Sequence, residues 1–506
     1  MKNSFQLFQL IKSLSMSEKR YFKLSCSVQK GMKNYLKLFD TMEAMTHYDE
    51  HLLKKKIKDN NWIKRLDLQK IYLYRILLKS LRDFHSSMSV DIQLRNFLNE
   101  IEILYKKGLF KQCEKTISKV KHLAEKYEKH LTLLELSGLE IKLIHAQSYH
   151  EKTEKRRDDI FNNMFAVNEK WKNEREYLLL QSRLFMVSSR MGQIRDDGQK
   201  MEYNNIMNHP LLKSEDRALS YKAKYNFYLC FTSYYLKLYD FVNAHFYGKK
   251  LVALMESHPN QVEDNPQMYI VAIQRIVLCQ LDLKKYKDAS ESIKKLKEIT
   301  TKSETVKSQL FYLSNNIELK MHIETGEFKK GVTLITQIKN TLNDPKIKMT
   351  NWELPLYYTI ARVYFGVADY VSTNAYLNKI LNVDATNFRN DLQCFARILS
   401  LIVHIELGKE SLLEYTVRST YRFLFKRKGL YKFESIILDF IRKKLPKTIS
   451  SKDMINAFKE LKVQLEKISK DPFEREALDY FDFISWLESK IENRSFAEIV
   501  KEKVES

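Results

Sequence analysis

The sequence predicts an all-α protein built from stacked helical hairpins. Two observations carry that prediction. Gly (11) and Pro (7) are scarce in 506 residues; turns and strand ends draw on both, so their scarcity favours long helices with short connections. A helix–turn–helix pattern also recurs along the chain, which is how an array of stacked supersecondary units announces itself.

Four segments share the pattern: YYLKLYDFVNAHFYGKKL (234–251), CQLDLKKYKDASESIKKL (279–296), MHIETGEFKKGVTLITQI (321–338) and VYFGVADYVSTNAYLNKI (363–380). Each has an aromatic in its turn, namely Phe241, Tyr286, Phe328 and Tyr370, at spacings of 45, 42 and 42. Three residues later stand Ala244, Ala289, Gly331 and Thr373. The aromatic is expected to plug the turn, and the small residue to let the second helix approach the first. An earlier copy, ILYKKGLFKQCEKTISKV (103–120), carries Phe110 and Cys113. Fainter hairpins are expected over 128–208, with Tyr149 and Ile194 at turn-like positions. Each hairpin leaves an apolar face, so neighbours must stack.

The turns Gly326-Glu327-Phe328-x-x-Gly331 and Ala368-Asp369-Tyr370-x-x-Thr373 resemble those of the tetratricopeptide repeat family. The period of about 42 is longer than that family's 34, which implies longer helices or linkers. The resemblance covers about residues 95–385 and implies an α-solenoid with a concave groove lined by first helices. Aligned on the turn aromatic, the polar groove positions are Asn226, Ser233, Gln274, Asn316, Lys320, Tyr358 and Arg362. The Lys/Asn set with which that family clamps a C-terminal carboxylate is missing, and so is the side-chain code of RNA-reading helical repeats. Lys320 and Arg362 each lie eight residues before a turn aromatic. They are expected on one surface, where their repulsion calls for an acidic ligand segment.

The expected organisation is a basic helical module over 1–92, a repeat array over 93–447 and a helical cap over 448–506. The phrases SEKRYFKL (17–24) and YFDFISWLESKIENRSFAEI (480–499) resemble the two ends of an uncharacterised bacterial family of helical-repeat proteins, a resemblance that implies no activity. In the first module FQLFQLI is expected to dock onto neighbouring helices rather than onto a membrane. Similarly, the tyrosine-rich stretch 221–239 is expected in the core.

Charge divides along the chain. The net charge is +23, with +10 in residues 1–85, +8 in 418–447 and −3 in 448–506. Lysine-rich composition alone is weak evidence for nucleic acid, because Lys meets phosphate as a point charge. The run RSTYRFLFKRKGLYKF (418–433) is sharper, interleaving Arg418, Arg422, Lys426, Arg427 and Lys428 with Tyr421, Phe423, Phe425 and Tyr431. Cations for phosphates and aromatics for bases are what a nucleic-acid surface combines. The competing reading, and the preferred one for the aromatics, is an amphipathic helix whose rings face the core.

No catalytic constellation emerges. There is no Gly-rich phosphate loop and no GxSxG elbow. His47-Tyr48-Asp49-Glu50-His51 matches HxxEH, a zinc-peptidase pattern. However, Asp49 is expected to cap the helix EHLLKKKI, which puts His47 before that helix and off the face of His51. Neither metal nor cofactor is expected. A helix-turn-helix reader over 49–86 is disfavoured, because YLYRILLKSL is too apolar to face a DNA groove. No apolar run approaches the roughly 20 residues of a membrane span, and the start makes a poor signal peptide. Five scattered cysteines without a CxxC pair read as reduced thiols in the cytoplasm. The leading reading is a non-catalytic adaptor that binds protein or peptide in its groove. The alternative is a nucleic-acid- or ribosome-associated protein using 1–85 and 418–447.

Overall fold

The structure, a computed structural model, describes residues 2–27, 33–57, 63–86, 89–146, 151–191, 197–301, 303–344, 350–383, 390–408, 410–425, 432–448, 450–471, 474 and 480–505. It is all-helical, 86% helix, with no strand among the described residues. The chain divides into two compact units, Met1–Glu169 and Lys170–Ser506. The division falls within the helix Glu151–Met191.

In the first unit, the helices Lys2–Ser13, Met16–Ser27, Lys33–Ala44, Glu50–Ile57 and Leu66–Phe84 share one apolar cluster. Leu7, Phe8 and Ile11 are buried in it with Phe22, Phe39 and Leu73. The N-terminal FQLFQLI thus docks onto its neighbours, as its helical spacing requires. A second cluster joins Val90–Lys106, Phe110–Lys126 and His130–Ala146, with Cys113, Ile117, Val120 and Ala124 buried at spacings of three and four.

The second unit is a succession of helical hairpins. First helices Tyr221–Lys237, Pro266–Asp282, Glu304–Glu324, Thr350–Gly366 and Asn390–Glu406 are each followed by a partner: Phe241–Glu256, Tyr286–Glu298, Phe328–Leu342, Tyr370–Leu381 and Glu410–Phe425. Each helix packs on the next in sequence, and first helices also pack on one another from Tyr221–Lys237 onward. The tyrosine-rich stretch lies in the core through Tyr221, Tyr225 and Tyr228.

All four turn aromatics open their second helix, and the connections are built alike. The residue two before the aromatic has positive φ: 58° at Tyr239, 55° at Lys284, 70° at Gly326 and 59° at Ala368. The next amide donates to the carbonyl five residues back, from Asp240 to Tyr235 (3.0 Å), Lys285 to Gln280 (2.8 Å), Glu327 to His322 (2.8 Å) and Asp369 to Tyr364 (3.0 Å). This Schellman closure satisfies carbonyls that a helix end would leave open. Asp240 and Asp369 additionally cap the second helix by accepting from Asn243 and Ser372 amides at 3.1 and 2.9 Å.

The aromatics differ in burial. Phe328 is only 2% exposed, whereas Phe241, Tyr286 and Tyr370 are half-buried. The four rings thus plug their turns to different depths, and Phe328 lies deepest, with its ring on Gly366 of the next first helix. A Cβ at Gly366 would come within 2.0 Å of that ring. The small residues three positions on do what their size predicts, since Ala244, Ala289, Gly331 and Thr373 are all buried. Over 128–208, Tyr149 and Ile194 lie outside the described residues. The helix between them, Glu151–Met191, is 41 residues long, about twice a hairpin arm.

Candidate functional site

Counting back from each turn locates the candidate groove. Eight residues before the turn aromatic stand Ser233, Leu278, Lys320 and Arg362, and four before stand Lys237, Asp282, Glu324 and Gly366. These positions are one helical turn apart and share a face. The structure gathers many of them into a cavity of about 360 Å³, with Lys237, Arg275, Lys320, Arg362, Asp282, Glu324 and Asp482 among its walls. Lys320 and Arg362 thus line one cavity, as their equivalent positions imply. Leu278 and Leu281 supply apolar wall.

The charge balance differs from the expectation. The acid near Arg362 is the protein's own: Glu324 lies 3.9 Å from its guanidinium. Four cations face three carboxylates around the cavity, so most of the repulsion is answered internally. Arg275 stands apart. Its Nε is buried without a hydrogen-bond partner among the described residues, and burial pushes the guanidinium below its usual value. Arg275, Lys237, Glu324 and Asp482 were not singled out from the sequence. The row four residues before the aromatics carried a signal for Glu324 and Lys237, whereas Arg275 and Asp482 had none.

Other groove candidates are covered. Arg362 is 6% exposed, and Tyr358 and Asn226 are also buried. Asn226 lies between the core residues Tyr225 and Phe227. Gln274 and Asn316 are partly exposed, and Asn316 accepts from Thr359 Oγ1 at 2.7 Å. What covers Tyr358 is the chain's own C-terminal segment. Tyr480 packs edge-on against it at 6.1 Å and stacks on Phe395 at 3.8 Å. Phe481 meets Phe365 at 4.9 Å, and Phe496 meets Phe328 at 5.6 Å. Trp486 donates its indole N–H to Glu406 at 2.7 Å, and Lys490 pairs with the same carboxylate. Farther back, Lys284 donates to the Lys503 carbonyl at 3.4 Å. Of the segment expected to cap the last apolar face, Ser451–Ser469 packs on Lys432–Asp439, and residues 480–505 run back along several hairpins. Gly326 permits its approach, since a Cβ there would lie 3.0 Å from the Lys501 backbone.

The basic run also departs from the preferred reading. On Glu410–Phe425, Val417, Thr420 and Leu424 face the core. Tyr421 and Phe425 do not: they are 39% and 61% exposed, on the side of the exposed Arg418 and Arg422. Phe423 alone turns partly inward, under Arg397 at 4.2 Å. Lys426, Arg427, Lys428 and Tyr431 lie outside the described residues.

The HxxEH segment has the geometry of a helix start. The helix is Glu50–Ile57, and Asp49 accepts from the Leu52 amide at 3.1 Å. His47 precedes it and its Nδ1 is 3.1 Å from Thr46 Oγ1. Lys54's hydrogen bond, with Lys70's charge, holds Glu50 at about 2. A general base working near neutrality needs a value much closer to 7. No described helix is long and apolar enough to cross a membrane. The five cysteines are buried, and none is in a disulfide. No protein-family model matches the chain, and no curated protein matches it.

Proposed function

We propose that the chain is a non-catalytic binding protein whose hairpins form a tetratricopeptide-like solenoid and whose charged cavity takes an acidic, partly apolar peptide segment. The observation that carries this reading is the convergence of Arg275, Lys320, Arg362 and Lys237 on one cavity. Holding Arg275 Nε away from water without a partner is costly, and an incoming carboxylate offsets that cost. Leu278 and Leu281 offer contact to apolar side chains beside the acid. The C-terminal segment contributes Asp482 to the wall, so the peptide occupies the part around Lys320 and Lys237.

Selection from a random 12-residue peptide display library tests the reading. The wild-type chain is expected to enrich acidic–apolar sequences, with binding that weakens as salt rises because exposed charges are screened over about 8–10 Å. Lys320→Glu is expected to abolish enrichment without changing thermal stability, since Lys320 is partly exposed. Arg362→Glu is a poor probe, because Arg362 is buried and the change sets an acid there beside Glu324. Enrichment unaffected by Lys320→Glu would refute the proposal.

A further inference from the structure

The Glu410–Phe425 helix turns one face to solvent, and the composition of that face is unusual. At 100° per residue, Tyr415, Arg422, Arg418, Phe425 and Tyr421 fall in that order within about a third of the helix circumference. All five are exposed, Tyr415 by 69%. The buried Val417, Thr420 and Leu424 define the opposite side. Rings and cations thus alternate along one surface about 15 Å long. The Tyr421 and Phe425 rings stack, with planes 12° from parallel and centroids 6.0 Å apart, and both remain exposed.

We propose that this stripe is a binding surface for single-stranded nucleic acid. Three exposed rings on one helix are costly in water unless something stacks on them, and bases stack on aromatic faces whatever their sequence. The charge is complementary to a phosphate backbone. Arg422 has no carboxylate partner among the described residues; its Nε donates to the Arg418 carbonyl at 3.4 Å, leaving the outer edge of the guanidinium available. Phe440–Lys444 packs against the same helix and adds the exposed Arg442, and residues 418–447 carry +8 in all. An acidic peptide would match the charge but leave the rings unused. Duplex is a poorer fit, because its bases are already stacked.

Fluorescence anisotropy with the full chain tests this, using fluorescein-labelled dT15, rU15 and a 15-base-pair duplex between 50 and 200 mM salt. The single strands are expected to bind, at least one of them more tightly than the duplex. Tyr421→Ala and Phe425→Ala should each weaken binding about thirtyfold, which is mid-range for loss of one stacking ring, and leave the salt dependence unchanged. Arg418→Gln and Arg422→Gln should each flatten the slope of log K against log salt by about 0.7. None of the four should lower the melting temperature, because all four side chains are exposed. Lys320→Glu should leave oligonucleotide binding intact, which separates this surface from the peptide cavity. The proposal is overturned by absence of saturable binding at 50 mM salt. It is equally overturned by binding indifferent to both ring variants, which would mean charge alone. Self-association abolished by Tyr421→Ala, in a chain that takes up no oligonucleotide, would assign the stripe to a second copy instead.

Discussion

Ala368 and Lys284 hold backbones at φ 59° and 55°, where a side chain crowds the following carbonyl. Glycine occupies the same position at Gly326 without that strain. Ala368→Gly is therefore expected to raise stability by about 1 kcal/mol, read as a shift of the urea midpoint at constant slope. The reverse change at Gly326 behaves differently, because Gly326→Ala adds backbone strain and also pushes a methyl to 3.0 Å from Lys501. It should cost about 2–4 kcal/mol, combining left-handed strain with overpacking. A cost below 1 kcal/mol would mean that the C-terminal helix is not seated there. Glu50 gives a pH signature at the same scale. Its folded-state value, about 2, lies below the ordinary carboxylate range, so the stability it contributes is present above about pH 4.5 and lost as pH falls toward 2. Glu50→Gln should remove that part of the acid dependence of the first unit's unfolding.

Among elements, the hairpin turn is the unit that repeats, and Phe328 is where it is most deeply packed. Phe328→Ala should destabilise by about 3–5 kcal/mol, the usual cost of emptying a buried aromatic site. The half-buried Phe241 and Tyr370 should cost less, and equal costs at all three would contradict the burial differences. Glu406→Ala is expected to cost about 1–3 kcal/mol, because the Trp486 indole loses its buried acceptor. The turns were legible in the sequence because their chemistry is local: a left-handed residue, a capping acid, an aromatic and a small residue within six positions. The path of residues 480–505 was not legible. Periodicity shows that Tyr358 and Phe365 have an apolar environment, but it does not say which distant segment supplies it. The Glu410–Phe425 helix was ambiguous for a related reason. Aromatics are dense all round it, so pattern alone left open which rings face the core.

Across the whole molecule, burial of thiols gives a simple test. Cys26, Cys113, Cys230, Cys279 and Cys394 are all buried, and none is in a disulfide. Burial pushes Cys230 and Cys279 up to about 12, and only the thiolate attacks a disulfide reagent. At pH 8 the native chain should show no prompt reaction with Ellman's reagent, and denatured protein should titrate five thiols. A prompt native thiol would place one of these cysteines at the surface. Two charged features were readable from composition, the basic run and the acidic end, and the structure puts them to different uses. The acidic end lies against its own hairpins through aromatic side chains, while the basic helix keeps its rings outward.

The return of the C-terminal segment has a consequence for biosynthesis. Lys503, whose carbonyl receives Lys284, is added 219 residues after it. At roughly 5–20 residues per second, the earlier hairpin waits about 10–45 s for its last covering. Phe328, Tyr358 and Phe365 emerge from the ribosome in that interval, and Phe481 and Phe496 are still unmade. The apolar surface that the finished chain hides is thus open during translation, when neighbouring nascent chains and holdase chaperones compete for it. Residues 480–505 act as a seal applied long after the surface they cover has been made.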